Sequence, residues 1–455
     1  MASTHAPASW LESANAPDCP FSLANLPLAI LRKVDEQGEY GVLATVVGDR
    51  AVDLTPLIEA GLFAECKHIE ELEAAFEESS WTPPDGLSRD ALREVRKVLQ
   101  KFFADASPGT GASGKQTQRL REKCLSPLDT AEWYLPATMM NYTDFYASVH
   151  HATNVGSMFR PDNPLLPNYK HIPIGYHGRA SSLVISGTPV ARPSGQTQPD
   201  PQSPPVFGLC KRLDYELEMG CVIATGNEIG EPIGIDDVEQ HILGLCVVND
   251  WSARDMQAWE YQPLGPFLAK NFATSVSPFI VTLDALEPYR VAGPTRRAGD
   301  PTPLPYLTPQ AALAAKAGFD IQLHVSIRTR KMAEAKLPAH RISSGSFKDM
   351  FWTFGQMIAH HTSGGCNLIP GDLLASGTIS GPEPETRGCM LELTWDGPPH
   401  NGPDGKPKPR KPITLPTGET RVFLEDGDEV IFDAVCSKPG LPPIGFGQCR
   451  GTIVG

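Results

Sequence analysis

The chain has 455 residues, a formal charge of −14, and 41% apolar against 20% charged residues, which is the composition of a globular protein rather than a disordered one. The length predicts two domains, and the negative charge argues against nucleic acid or an anionic membrane as the partner. No apolar run approaches 18 residues, the N-terminus lacks signal-peptide features and the ten cysteines stand singly without a C-x-x-C pair, so we expect a reduced, cytoplasmic protein.

Residues 1–130 are predicted to form a small domain. LAILRKV and YGVLATVVGDRAVDL have the composition of short strands, and the second segment is predicted to turn at Gly48. A helix is predicted over about 65–78, and another from the N-cap candidate Ser88, because apolar residues recur at helical spacing. The Gly/Ser-rich stretch 107–118 predicts an exposed loop. This region contains no cluster of chemically reactive residues, so we expect a structural or oligomerising role.

Residues 131–455 are predicted to form a mainly β domain, with many short strands separated by Pro/Gly-rich turns, as in a rolled sandwich or barrel. Helices are predicted over 252–261 and 347–361, and the basic, proline-rich segment 401–418 is predicted to be an exposed insertion. The candidate strands are SSLVISGTPV, DYELEMGCVIA, HILGLCVVN, SPFIVTLD, FDIQLHVSI, GDLLASGTI, GCMLELTW and GDEVIFDAVC.

Two glutamates one residue apart, Glu216 and Glu218, lie in the second of these strands, and Asp250 ends the third. Because side chains alternate along a strand, both glutamates point to the same face, about 6–7 Å apart. Two half-buried carboxylates at that distance would raise each other's pKa unless a positive group lies between them. A hard divalent cation with oxygen ligands, Mg²⁺ or Ca²⁺, would provide that charge. The alternative is a pair of glutamates on the solvent face of an edge strand.

A second group of candidates is Asp144, Tyr146 and His151 in one short segment. An acid, an aromatic ring and an imidazole together suit a general base beside a metal. The alternative is a structural histidine that caps a turn. Spacing alone does not choose between His151 and its neighbour His150.

The helix predicted after Asp250 carries Arg254, Gln257 and Tyr261 on one face. With Lys270 nearby, these donors could stabilise an anion that develops during a reaction. The alternative is an amphipathic helix with a solvated polar stripe.

Three further residues are candidates for substrate contact or catalysis. Arg160 and Tyr176 are plausible substrate contacts, since a guanidinium matches the geometry of a carboxylate. Glu392 alternates with leucines in a predicted strand and, if buried, could orient an imidazole. The pair His360–His361 ends a predicted helix, where a positive charge would favour the helix dipole. Nucleotide-binding and serine-hydrolase motifs are absent from the sequence.

Long motifs of residues 137–455 closely resemble the fumarylacetoacetate hydrolase family, and the N-terminal region fits that family's small domain by length and position. The resemblance implies an α+β, mainly β fold. It consists of an SH3-like barrel (1–130) followed by a catalytic β-sandwich roll (131–455). The chain departs from the family pattern at His150 and at the insertion after His400. The motifs are YTDFYASVHHATNVG, YKHIPIGYHGRASS, DYELEMG, NDWSARDMQAWEYQPLGPFLAKNFATSVSPF, HHTSGGCNLIPGDLLASGTISG and GFGQCRG.

The resemblance also implies site residues. Its calcium site would be formed by Asp144, Glu216, Glu218 and Asp250. Its magnesium site would be formed by Asp250, Lys270 and Thr274, with Lys270 contributing its backbone carbonyl because a protonated ammonium cannot ligate a cation. The general base would be His151, oriented by Glu392, and the oxyanion would be stabilised by Arg254, Gln257 and Lys270. Substrate would contact Tyr146, Arg160, Tyr176, Gln257, Tyr261 and Thr378.

The activity implied by the resemblance is hydrolysis of a C–C bond in 4-fumarylacetoacetate, which gives fumarate and acetoacetate at the end of tyrosine and phenylalanine breakdown. The implied partner is this small diketo dicarboxylate, and the implied assembly is a homodimer. Acylpyruvate hydrolases, oxaloacetate decarboxylases and related isomerases of the same fold are the first alternative. A non-catalytic Ca²⁺-binding protein is the second, although a structural ion needs neither a base nor oxyanion donors.

Overall fold

The computed structural model describes residues 7–104, 112–200, 202–402, 405 and 407–455. Its first part is a four-stranded antiparallel sheet in the order β1-β2-β3-β4, with helices between the last two strands. The strands are β1 (Ala29–Asp35), β2 (Gly38–Val47), β3 (Arg50–Asp53) and β4 (Leu125–Pro127), and the helices are α1 (Thr55–Glu59), α2 (Ile69–Glu77), α3 (Arg89–Ala104) and α4 (Ala112–Cys124).

The predicted hairpin between β2 and β3 is confirmed. Gly48 adopts a φ of 60°, where a Cβ would lie 2.8 Å from the backbone nitrogen of Ala14, so the turn requires glycine. The N-cap prediction is also confirmed, since the Ser88 hydroxyl accepts a hydrogen bond from the backbone N–H of Ala91 (3.2 Å). The helix predicted from residue 65 begins only at Ile69.

The loop predicted over 107–118 is wrong for residues 112–118, which belong to α4, while 105–111 lie outside the described residues. Gly114, Arg121 and Cys124 are buried along one side of α4, at helical spacing. Packing of this side outweighs the low helix propensity of the glycine and serine residues.

The remainder of the chain is mainly β, with short helices in the connections. Its strands are β5 (Tyr142–Phe145), β6 (Gly175–His177), β7 (Leu183–Ile185), β8 (Val190–Ala191), β9 (Ser194–Thr197), β10 (Val206–Leu209), β11 (Leu213–Asp214), β12 (Leu217–Ile223), β13 (Ile242–Asp250), β14 (Ser252–Ala253), β15 (Thr274–Val276), β16 (Arg290–Val291), β17 (Gly318–Phe319), β18 (Gln322–Arg328), β19 (His340–Ser346), β20 (Leu373–Ala375), β21 (Ile413–Thr414), β22 (Thr420–Arg421), β23 (Glu429–Cys436) and β24 (Ile444–Val454). Its helices are α5 (Val149–Phe159), α6 (Arg254–Glu260), α7 (Leu283–Leu286), α8 (Ala311–Ala314), α9 (Arg330–Glu334), α10 (Phe354–Thr362) and α11 (Met390–Leu393).

Two sheets form the body of this part. A seven-stranded mixed sheet has the order β6-β5-β20-β12-β13-β15-β7, and a five-stranded sheet has the order β19-β18-β23-β24-β8. Every residue of β12 and β13 is buried, so both faces of the larger sheet are covered. On one face Met219 shares a core with Phe432 of the smaller sheet. On the other face Val222 shares a core with Leu43 and Phe103 of the N-terminal region.

The N-terminal region is joined to the larger sheet by main-chain bonds as well as by this core. Leu28 and Ile280 exchange two backbone hydrogen bonds of 2.8 and 2.9 Å. The predicted mainly β, α+β class is confirmed. The division at residue 130 and the SH3-like character of the first sheet stay predictions. Among the described residues, no helix has the length and apolar character needed to cross a bilayer.

Other predicted elements also differ from the structure. The strand predicted for GCMLELTW is wrong, because this segment contains the short helix α11. In SPFIVTLD, only Ile280 and Val281 form isolated bridges before α7 begins. The helix predicted over 347–361 begins, apart from one short 3₁₀ turn, only at Phe354, where Thr353 provides a capping box.

The basic segment 401–418 is only partly the exposed insertion that its composition predicts. Leu415 is buried and Arg410 is half-buried. Arg410 Nη1 donates to the carbonyl oxygen of Leu391 in α11 (2.7 Å). The prediction is therefore wrong for Arg410 and Leu415 but holds for exposed neighbours such as Lys411, Pro412 and Thr414. Residues 403, 404 and 406 lie outside the described part of the chain.

Candidate active site

Four carboxylates come together on one face of the seven-stranded sheet. Asp144 lies on β5, Glu218 on β12 and Asp250 at the end of β13, and Glu216 directly precedes β12. One oxygen of each lies within 4.8 Å of the others. Glu216 is 5% exposed and Glu218 is 0% exposed, so the alternative of a solvent-facing edge strand is wrong.

Two cationic side chains neutralise part of this cluster. The Lys270 ammonium donates to Glu216 and to Asp250 Oδ2 (2.7 Å for the latter), and Arg254 Nη1 donates to Glu216 Oε1 (2.7 Å). Burial would raise the pKa of Glu216, but Lys270 and Arg254 hold it at about 2. Burial and the neighbouring carboxylates raise the pKa of both Asp144 and Glu218 well above its usual value. Both carboxyl groups therefore favour the neutral form unless a further positive charge compensates them.

The residues present fit a hard divalent cation. Within the described structure, Asp144 Oδ1 and Glu218 Oε1 are buried without a hydrogen-bond partner, which is costly for a carboxylate oxygen unless a cation or water binds it. The ligand atoms of the cluster are all oxygens, as Mg²⁺ and Ca²⁺ prefer. Asp250 also accepts hydrogen bonds from the Thr274 hydroxyl (2.6 Å) and the Tyr176 hydroxyl (2.9 Å), so both of these predicted residues lie beside the cluster.

A histidine–glutamate pair lies in the same region. His151 is in the first turn of α5, where Ser148 caps the helix by accepting from the His151 backbone N–H. His151 Nδ1 lies 2.6 Å from Glu392 Oε2. A carboxylate can only accept, so Nδ1 carries the proton and Nε2 is left as the acceptor. Glu392 is 0% exposed and also accepts from Asn154 Nδ2 (2.7 Å) and Ser380 Oγ (2.8 Å).

The two adjacent histidines point in different directions from α5. His151 is buried and lines the cavity described below, whereas His150 is half-buried and does not belong to the lining. Burial lowers the pKa of His150, and the Asp349 carboxylate opposes this effect. Of the two, the structure brings His151 to the carboxylate cluster and Glu392.

A cavity of about 420 Å³ brings most of the predicted site residues together. Its walls also include an apolar part formed by Phe145, Val155, Phe159, Ile174, Leu264 and Pro266. Four predicted residues lie behind this lining, each hydrogen-bonded to a buried residue of the site: Glu218, Asp250, Thr274 and Glu392. The predicted residues in the lining are Asp144, Tyr146, His151, Arg160, Tyr176, Glu216, Arg254, Gln257, Tyr261, Lys270 and Thr378.

Hydrogen-bond donors accompany the cluster in this cavity. Arg254 and Gln257 lie on one side of α6, and Tyr261 follows at its C-terminus. Arg254 is only 6% exposed, so the alternative of a solvated polar stripe is wrong for this side chain. Arg254 Nη1 donates to Gln257 Oε1 (3.0 Å), and the Gln257 amide protons have no acceptor among the described residues. Over the described residues, Arg254 Nη2 and Thr378 Oγ1 are buried without a hydrogen-bond partner.

The sequence interpretation missed several residues that hold this site. Asp214 accepts from Arg254 Nε (2.8 Å), and it continues the period-two series of Glu216 and Glu218 towards the N-terminus. That alternation was a usable signal. Asn154 lies three residues after His151 on the same helix, which was a weaker signal. Ser380 has no signal in the sequence, because only the fold brings it to Glu392.

Comparison with known proteins identifies the family of the chain. A family model described as fumarylacetoacetate (FAA) hydrolase, C-terminal, matches residues 141–454, and one described as fumarylacetoacetase, N-terminal, matches residues 24–136. The chain is 45% identical over 444 residues to fumarylacetoacetase of Homo sapiens, covering 96% of this chain and 97% of the relative. It is 44% identical over 443 residues to fumarylacetoacetase of Oryza sativa subsp. japonica, covering 96% of each chain. It is 44% identical over 453 residues to the Aspergillus fumigatus enzyme, covering 98% of each. On its sequence along almost the whole length, the chain belongs to the fumarylacetoacetate hydrolase family.

Proposed function

We propose that this protein hydrolyses 4-fumarylacetoacetate to fumarate and acetoacetate. The observation that carries the proposal is that one cavity is lined both by His151, which is hydrogen-bonded to the buried Glu392, and by Asp144 and Glu216 of the carboxylate cluster. The match to fumarylacetoacetases over 96% of the chain supports the same substrate. Alternatives that use only the metal, such as a structural calcium site, leave the base and the donors of α6 without a role.

The cations that we propose are Ca²⁺ and Mg²⁺. Ca²⁺ would be held by Asp144, Glu216, Glu218 and Asp250. Mg²⁺ would be held by Asp250, the backbone carbonyl of Lys270 and the Thr274 hydroxyl oxygen. When bound, the cation supplies Lewis acidity and a template for the ketone and carboxylate oxygens of the substrate. The unpartnered oxygens of Asp144 and Glu218 support an ion at this position.

The proposed chemistry begins with His151. Its Nε2 takes a proton from a water molecule, whose oxygen then attacks the carbonyl carbon next to the fumaryl double bond. Glu392 fixes the ring through Nδ1 and stabilises the imidazolium that forms. The electron pair of the carbonyl moves to its oxygen, and the resulting anion needs donors that are already in place.

Those donors are Arg254, Gln257 and Lys270, of which Arg254 Nη2 and the Gln257 amide protons are not used by other described residues. When the tetrahedral anion collapses, the C–C bond breaks and its electron pair leaves with acetoacetate as the enolate. The proton held by His151 is then available to the enolate carbon, so the overall reaction consumes one water.

The substrate carries two carboxylates into a protein of net charge −14, so local positive groups must outweigh the general field. Arg160 lines the cavity and its Nε has no hydrogen-bond partner in the described part of the chain, which suits it to a substrate carboxylate. We propose substrate contacts by Tyr146, Arg160, Tyr176, Gln257, Tyr261 and Thr378, all of which line the cavity.

Other aspects of the proposal rest on family membership. We propose a cytoplasmic homodimer that acts at the last step of tyrosine and phenylalanine breakdown. Ten free cysteines support a reducing compartment. Exposed apolar side chains at the mouth of the cavity, with Leu264 94% and Phe267 69% exposed, support burial against a second subunit. Separate family matches before and after residue 136 support division into 1–130 and 131–455.

The deciding experiment follows the absorbance of the conjugated diketone during incubation with purified protein, with and without a chelator. Decay with equimolar fumarate and acetoacetate, abolished by the chelator and restored by Ca²⁺ or Mg²⁺, is the expected result. His151→Ala should abolish turnover while the protein still binds metal, and His150→Ala is the matched control that should remain active. Absence of decay at every metal concentration would reject fumarylacetoacetate as the substrate and point to acylpyruvates or oxaloacetate.

A further inference from the structure

A buried carboxylate to which the proposed chemistry assigns no role, Asp214, lies between the two halves of the site. Asp214 is 0% exposed. Its two oxygens accept four hydrogen bonds, so all of its lone-pair positions are used. The donors are the backbone N–H groups of Tyr215 (2.9 Å), Met390 (2.8 Å) and Leu391 (2.9 Å) and the Arg254 Nε (2.8 Å).

Two of these bonds connect Asp214 to the base. Helix α11 has only four residues, and Glu392 is the third of them. The side chain of the N-cap residue, Cys389, accepts no hydrogen bond from the backbone N–H groups of the helix, so the first N–H groups of α11 need another acceptor. Asp214 accepts both, and its negative charge at the helix N-terminus is electrostatically favourable. The position of Glu392, and through it the orientation of His151, therefore depends on a side chain outside α11.

The fourth bond connects Asp214 to the proposed oxyanion donors. The Arg254 guanidinium donates through Nε to Asp214 and through Nη1 to Glu216 Oε1 (2.7 Å). Two carboxylates, two residues apart in the chain, thus fix the plane of the guanidinium. Arg254 Nη2 is the group left without a partner among the described residues. Without Asp214, the guanidinium would be held only through Nη1, and Nη2 would lose its fixed direction.

We propose that Asp214 is a positioning residue that holds the His151–Glu392 pair and the Arg254 guanidinium in one fixed arrangement. Asp214 does not itself line the cavity and is not one of the proposed metal ligands, so it acts through α11 and Arg254. This inference rests on the proposed function, because the two groups that it aligns are the proposed base and the proposed oxyanion donor.

Asp214→Asn tests the proposal, since the amide keeps the size but has one acceptor oxygen, and its NH₂ must face N–H donors. We expect kcat and kcat/KM to fall together by about 10²-fold with little change in KM, as for misplaced catalytic groups. Asp428→Asn is the matched control. Asp428 is also 0% exposed and accepts from Arg421 Nε (2.8 Å) and Nη2 (2.9 Å), but these residues do not line the cavity. An Asp214→Asn variant no slower than Asp428→Asn overturns the proposal.

Double-mutant cycles separate positioning from general damage to the fold. If Asp214 acts through Arg254 and Glu392, Asp214→Asn will slow the Arg254→Gln and Glu392→Gln variants by much less than it slows the wild type. Equal factors in all three backgrounds would mean that Asp214 acts independently of both groups and would refute the proposal.

Two measurements keep the test decisive if Asp214→Asn does not fold or if the substrate is a different one. Met390→Pro removes the backbone N–H that donates a hydrogen bond to Asp214. Met390 is the first residue of α11, a position where proline is tolerated, and Met390→Ala is the control. Met390→Pro should be the slower variant, and equal rates count against the proposal. The downfield proton resonance of His151 Nδ1–H should shift in Asp214→Asn and not in Asp428→Asn. This resonance needs no turnover, so an inactive wild type rejects only the proposed function, whereas an unchanged resonance rejects the role of Asp214.

Discussion

Replacing Glu392 with Gln removes one charge from the centre of the site and leaves its size unchanged. The carboxylate accepts from His151 Nδ1 (2.6 Å), Asn154 Nδ2 (2.7 Å) and Ser380 Oγ (2.8 Å). An amide has a single acceptor oxygen, so its NH₂ group would face one of these donors. We expect the variant to fold and bind metal but to lose stabilisation of the imidazolium at position 151.

The structure gives the size of this loss. Burial alone would raise the pKa of Glu392, but the His151 imidazole and the hydrogen bonds from Asn154 and Ser380 hold it at about 2, below its usual 4.5. At 1.36 kcal/mol per pKa unit, this difference is about 3 kcal/mol in favour of the ionised carboxylate, with His151 as the largest favourable contribution. If that energy is lost when the imidazolium forms, kcat falls by about 10²–10³-fold.

The assay is the initial rate of diketone disappearance at saturating metal and substrate. Glu419→Gln is the matched control, since hydrogen bonds from Thr417 and Thr329 hold the pKa of Glu419 at about 2 as well, and Glu419 does not line the cavity. A Glu392→Gln enzyme with a kcat close to that of Glu419→Gln would refute the assignment of His151 and Glu392 as the base pair.

Three further outcomes are expected. Because the folded-state pKa of Glu392 lies below its value in the unfolded chain, its contribution to stability is complete above about pH 4.5 and is lost as the pH falls towards 2. The difference in free energy of unfolding between wild type and Glu392→Gln should shrink by about 3 kcal/mol across that range, and a constant difference in urea titrations would contradict the pKa. Adding Ca²⁺ to chelator-treated protein should raise its thermal midpoint, by about 2.7 kcal/mol of stability at 100 times the Kd. Glu218→Gln should weaken that response, and a midpoint independent of Ca²⁺ would contradict the cation site. Arg410→Gln should lower the free energy of unfolding by about 1–3 kcal/mol and should also lower kcat, because it leaves the Leu391 carbonyl of α11 without its donor. Lys408 is also half-buried, so Lys408→Gln is the control. Equal effects of the two substitutions in chemical denaturation would exclude a special role for Arg410.

The sequence predicts this site well where strand periodicity fixes side-chain direction. Glu216, Glu218 and Asp250 lie at the ends of long apolar strands, so alternation along each strand places them on one face. The same logic fails for Glu392. The leucines on either side of it satisfy a strand pattern, but the segment forms a single helical turn because Asp214, which is 178 residues away in the chain, caps it. No local pattern contains that interaction.

Prediction from the sequence also fails to distinguish adjacent residues of the same type. His150 and His151 have the same chemistry, and only the phase of α5, set by the Ser148 cap and the packing of the helix, decides which ring enters the cavity. In the same way, residues 112–118 have the composition of a loop but form part of α4, because tertiary packing decides against local propensity.

The core that Val222 shares with Leu43 and Phe103 joins the N-terminal region to the back of the sheet that carries the carboxylates. The N-terminal region is therefore part of the support of the reacting groups, although none of its described residues lines the cavity. Substitutions that weaken this packing increase the fraction of chains that are unfolded and accessible to proteases. Substitutions in the N-terminal region would accordingly reduce how much enzyme a cell contains, while each surviving molecule turns over at its normal rate.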